Sequence, residues 1–117
     1  MTPLQTLDPV ASPTLTPSAV VWVNGRQAIV ATIDRDGQIC TCEMHRSLEE
    51  EPSYLARIVH VIGDRDRVLI LGPSSARLAL EREYVTIFQR PDRLLDVEPA
   101  GAIDAESLIA RLRTLAS

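Results

Sequence analysis

The sequence contains no lysine. Its 12 basic residues are all arginine and face 16 acidic ones, a net charge of −4. Without lysine there is no Schiff-base chemistry and no Gly-Lys-Ser/Thr phosphate loop. The basic excess that drives non-specific nucleic-acid coating is missing too, so DNA is not an expected partner. Aromatic residues are scarce: Trp22, Tyr54, Tyr84 and Phe88. Base-stacking proteins need exposed aromatic platforms, and these four read as core. Cysteine is limited to Cys40 and Cys42, which are too close along one strand for a disulfide and fit a reducing compartment. The longest apolar runs, residues 19–23 and 68–71, fall far short of a membrane span. The first residues lack the basic flank and apolar core of a secretory signal. A cytoplasmic protein without a membrane partner is expected.

The 117 residues allow one domain, and a hydrophobic content of 45% with 24% charged fits an ordinary globular chain. Residues 1–18 hold Pro3, Pro9, Pro13 and Pro17 and read as a flexible, Pro-rich tail. Order is expected over residues 19–117. An apolar strand over 19–23 runs into Asn24-Gly25, a strong hairpin signal. Its partner covers 27–33, and a turn over 34–37 leads to a third strand over 38–44. Leu55, Ile58, Val59 and Ile62 then recur at helical spacing before Gly63. A continuously apolar strand over 68–71, a helix over 75–88, a more polar strand over 94–98 and a final helix capped by Asp104 complete the chain.

The order is β-β-β-α-β-α-β-α. A meander followed by right-handed crossovers gives a mixed five-stranded sheet in the order 3-2-1-4-5, with helices on its faces. This α/β arrangement is ribonuclease H-like. Nuclease activity in such a fold needs carboxylates converging on two metals, one of them on the first strand. That strand, Ala-Val-Val-Trp-Val, has none; Asp96 and Glu98 on the last strand lack the central acid.

Other constellations give equally little chemistry. Cys40, Cys42, His45 and His60 lack the two-to-four-residue cysteine spacing of a zinc turn; on a strand Cys40, Cys42 and Met44 share one face and suit core packing. No metal or cofactor is expected. Ser74 and Ser75 open a helix whose amides could take an anion, although helix capping explains both serines. Gly-x-Ser-x-Gly is absent, so there is no nucleophile elbow. His45 and His60 have no evident catalytic partner. Arg65 and Arg67 alternate with Asp64 and Asp66 and read as a salt-bridged turn. Arg26, beside the hairpin turn, and Arg46 lie near one end of the sheet, and they are the candidate binding residues together with Asn24.

Three segments carry a family resemblance. Residues 19–28 (Ala-Val-Val-Trp-Val-Asn-Gly-Arg-Gln-Ala), 69–76 (Leu-Ile-Leu-Gly-Pro-Ser-Ser-Ala) and 95–98 with Asp104 and Leu108 resemble small bacterial proteins related to the central domain of archaeo-eukaryotic peptide release factors and Pelota. The likeness spans residues 19–117 and implies a translational-machinery-component fold. Two departures stand out. The family's acid after the Trp-bearing strand is Asn24 here, and the Gly-Gly-Gln loop of active release factors occurs nowhere in the chain. The resemblance therefore implies a non-catalytic interaction module with the ribosome, RNA or a translation protein as partner. The alternative is a self-associating scaffold protein, a homo-oligomer joined through a sheet edge at the third or fifth strand.

Overall fold

The computed structural model describes residues 15–101 and 103–117. The apolar run after Pro17 forms β1 (Ser18–Val23), buried along its whole length. Asn24 and Gly25 reverse the chain into β2 (Gln27–Ile33), and a turn with Gly37 at φ +87° leads into β3 (Ile39–His45). The meander keeps an unbroken register, with Val21 opposite Val30 and Val30 opposite Cys42.

Helix α1 (Glu51–Ile62) has Pro52 in its first turn, where a missing N–H costs nothing. It stops at Gly63, whose φ of +66° a side chain would disfavour and whose N–H reaches the Val59 carbonyl at 3.0 Å. The chain then crosses to β4 (Arg67–Gly72), parallel to β1, and runs through α2 (Ser74–Phe88) and a 3₁₀ turn over Pro91–Arg93. Strand β5 (Leu94–Pro99), parallel to β4, and α3 (Ala105–Ala116) finish the fold. The described residues thus form one mixed sheet in the order β3-β2-β1-β4-β5, the arrangement expected from the sequence.

Alternation along β1 builds two cores. Ala19, Val21 and Val23 face α1 and α2, packing with Tyr54, Ile58, Ile62, Leu80 and Tyr84. Val20 and Trp22 face α3, packing with Leu69, Leu71, Leu108 and Leu112. Trp22, Tyr54 and Tyr84 are buried, while Phe88 is half-buried with its ring centroid 5.0 Å from that of Tyr84. The two strands that carry most of this core sit very close at one point. A Cβ at Gly72, which has φ +142°, would lie 2.1 Å from the Val23 carbonyl oxygen, so only glycine fits between β4 and β1.

The fold corrects several sequence expectations. Order begins before residue 19: Leu15 packs on the α3-side core, Thr16 donates to the Ala116 carbonyl at 3.0 Å, and the Pro17 carbonyl accepts from Asp66 and Arg67. The expectation for residues 1–14 lies outside the described residues. Cys40 and Cys42 are not equivalent core residues. Burial rises along that face of β3 from exposed Cys40 through half-buried Cys42 to buried Met44, because the α1-side core reaches only the Met44 end. Arg65 and Arg67 do not pair with their neighbouring aspartates. Arg65 reaches the Ile62 carbonyl at 2.8 Å and Asp34 at 3.3 Å, while Arg67 donates to the carbonyls of Leu115 and Ser117. Among the described residues no helix is long and apolar enough to cross a membrane.

Candidate functional site

The three candidate residues come together where β1 ends. The Asn24 side chain closes the hairpin on itself: its Oδ1 accepts from the N–H groups of Arg26 and Gln27, each at 2.8 Å. This is an Asx-type turn, in which the amide oxygen replaces a backbone acceptor. A second tie comes from α1. The Tyr54 hydroxyl donates to the Asn24 carbonyl at 3.1 Å, and burial pushes its pKa up to about 12.

One rung beyond the Gln27–His45 pair, the Arg46 N–H donates to the Arg26 carbonyl at 2.8 Å. Residues opposed in this way across an antiparallel pair send their side chains to the same face. Arg26 and Arg46 are therefore direct cross-strand neighbours, both positive. Arg26 is exposed, and Arg46 is half-buried with its Nε donating to the Glu49 carbonyl at 3.0 Å. Neither guanidinium forms an ion pair among the described residues. Glu49, whose carboxylate also feels the Arg46 charge, is engaged by another arginine. Glu49 receives both Nε and Nη2 of Arg57, which holds its carboxyl below the usual range. Like charges directly opposed on a sheet are destabilising, so this pair is a local cost that the fold itself does not require.

The α2 start lies at the same end of the sheet, immediately after Gly72. Its cap position is held by Pro73, with no side-chain cap bond and no acid in the first turn. Capping by the serines, expected from the sequence, is not what begins this helix, because proline at φ −64° already sets the backbone there. Ser75 is exposed; the side chain of Ser74 lies outside the described residues. Helix α3 differs, for Asp104 accepts from the Ser107 N–H at 2.8 Å.

Elsewhere the sequence candidates stay apart. Among the described residues no group of three or more His, Cys, Asp or Glu side chains is placed to hold a metal ion. His45 lies 3.5 Å from Glu43, and His60 is exposed on α1. Glu98 receives Arg111 at 3.0 Å, while the side chain of Asp96 lies outside the described residues. Two features of the site were not visible in the sequence: the Tyr54 tie, made across thirty positions, and the diversion of Glu49 to Arg57.

No family model matches the sequence, and no curated protein matches it. Solved structures do match. The fold is similar to part of Pelota. Pelota of Archaeoglobus fulgidus superposes with a TM-score of 0.65 at 12% identity over 90% of this chain. Pelota of Thermoplasma acidophilum gives a TM-score of 0.61 at 22% identity over 86%. This chain spans 33% of the length of each Pelota. At these identities the likeness to Pelota is one of fold.

Proposed function

We propose that this chain is a non-catalytic interaction module of the release-factor central-domain and Pelota type, working with the translation machinery, and that Arg26 and Arg46 contact RNA phosphate. One observation carries the reading: two arginines oppose each other one rung beyond the ends of β2 and β3, and neither forms an ion pair among the described residues. A phosphodiester laid across such a pair receives planar, bidentate donors from both sides, the geometry for which arginine is suited. Its charge also relieves the repulsion that the free protein bears. The fold shared with part of Pelota supports the setting, and the missing Gly-Gly-Gln segment supports a binding role over peptidyl-tRNA hydrolysis.

The test is sedimentation of the full chain through a sucrose gradient of lysate from its own source. Migration with ribosomal particles at low salt, lost at high salt, is the expected result. Replacing both arginines by alanine is expected to abolish that migration and to lower the salt dependence of RNA binding by about one counterion per arginine. Recovery only at the top of the gradient in both salts, in growing and starved cells alike, overturns the reading.

A further inference from the structure

We propose that two copies of this chain join through β3, pairing antiparallel about a two-fold axis at Cys42 so that their sheets become continuous. The two edges of the sheet are not alike. Strand β5 is protected as natural edges usually are: a register shift leaves Leu95 without a β4 partner, a 3₁₀ turn starting at Pro91 precedes the strand, and Pro99 ends it. Strand β3 has none of these devices. Its seven residues, Ile-Cys-Thr-Cys-Glu-Met-His, contain no proline, and its register with β2 is unbroken.

The phase of the ladder says which groups are free. Arg46 N–H bonds the Arg26 carbonyl and Asp34 N–H bonds the Gln38 carbonyl. Hydrogen-bonded pairs alternate with non-bonded ones in an antiparallel ladder, so Cys40, Cys42 and Met44 turn their backbone groups to β2. Ile39, Thr41, Glu43 and His45 turn theirs outward. A two-fold pairing must match these four residues with one another, and three centres engage three or more of them. Centring on Glu43 sets that carboxylate against its own copy, which is destabilising. Centring on Thr41 shortens the ladder and opposes Ile39 to Glu43. Centring on Cys42 uses the whole strand, placing Thr41 against the partner's Glu43 and Ile39 against the partner's His45. The His45 carbonyl already accepts from Arg57 at 3.0 Å, so the inner Thr41 rungs carry the pairing.

On the other face this register opposes Cys40 to the partner's Met44 and Cys42 to the partner's Cys42, a run of soft apolar contacts. A groove of about 570 Å³ between β3 and α1, lined in part by Cys42, Met44, Ala56 and Val61, flanks the same edge. The two Cys42 residues form a non-hydrogen-bonded pair, whose Cα separation of about 4.5 Å lies within the range a disulfide spans. That makes Cys42 a reporter of the register.

Sedimentation equilibrium of the full chain over a concentration series is expected to show a species of twice 12.9 kDa; a single species at the chain mass throughout overturns the proposal. Thr41→Pro removes an outward N–H and no bond to β2, so it is expected to give a monomer with unchanged circular dichroism. A folded Thr41→Pro chain that stays dimeric also overturns it. Should that variant lose its fold, the cysteines decide. With copper–phenanthroline as oxidant, the copper accepting two electrons from each thiol pair while two protons pass to solvent, Cys40→Ser is expected to cross-link through Cys42. Cys42→Ser, retaining the more exposed Cys40, is expected not to. Equal cross-linking of the two, or cross-linking through Cys40 alone, excludes this register.

Discussion

Tyr54 occupies a position that a core residue alone would not explain: its ring is buried, yet its hydroxyl holds the hairpin turn through the Asn24 carbonyl. Because burial raises its folded-state pKa from 10 to about 12, the folded protein keeps the phenolic proton where the unfolded chain has lost it. The stabilisation is therefore complete below pH 10 and is lost as pH rises toward 12, amounting to about 2–3 kcal/mol over that window. Burial raises the Tyr84 pKa as well, so its contribution has the same sign. In urea unfolding, Tyr54→Phe is expected to lose about 1 kcal/mol at neutral pH for the missing hydrogen bond and to flatten the alkaline decline. An unchanged alkaline slope excludes this role for Tyr54. At this scale the sequence is legible where a residue acts on its neighbours. Asn24 closing its own turn is such a case. It is silent where a long side chain chooses between partners. Arg65 alternates with aspartates along the chain, but its guanidinium goes to a residue thirty-one positions away.

The starts of α2 and α3 separate two ways of beginning a helix. Asp104 accepts from the Ser107 N–H, and this bond holds its carboxyl below the usual range. Asp104→Ala is expected to lower the melting temperature by a few degrees, and the difference from the parent should shrink as acid protonates Asp104. Ser75→Ala at the start of α2 is expected to leave it unchanged, because Pro73 and not a serine holds the cap position. Thermal denaturation of both variants checks the pair, and a cost from Ser75→Ala contradicts this account. Each strand and α-helix could be anticipated from its spacing of apolar residues and its turn signals, with edges displaced by a residue or so: β1 opens at Ser18 and α2 at Ser74. The serine cap misled because Gly72 must lie against Val23 and Pro73 follows it, a constraint set by the neighbouring strand. Alternation along β3 correctly puts Cys40, Cys42 and Met44 on one face. How far the core extends over that face depends on the path of α1, which no local pattern encodes.

At the scale of the whole molecule, strand order follows from the meander and the hand of the crossovers, and so it could be derived before any contact was known. The same rule puts α1 and α2, whose crossovers step the same way along the sheet, on one face; it does not place α3. Two helices share one face, while among the described residues α3 is the helix packed on the other, with Leu15 against that core. This places the first described residues next to the last: Thr16 is bonded to Ala116, and Leu15 and Ser117 line one groove. A circular permutant that joins Ser117 to Met1 and opens the exposed turn between Asp36 and Gly37 is expected to fold with a cooperative melting transition. Loss of that transition contradicts the closeness of Thr16 and Ala116. The path from Thr16 to Ala116 is thus a ring in all but its covalent closure, with its seam at the pole opposite Asn24, Arg26 and Arg46. A tether attached at that seam would leave Arg26 and Arg46 at the far end of the molecule.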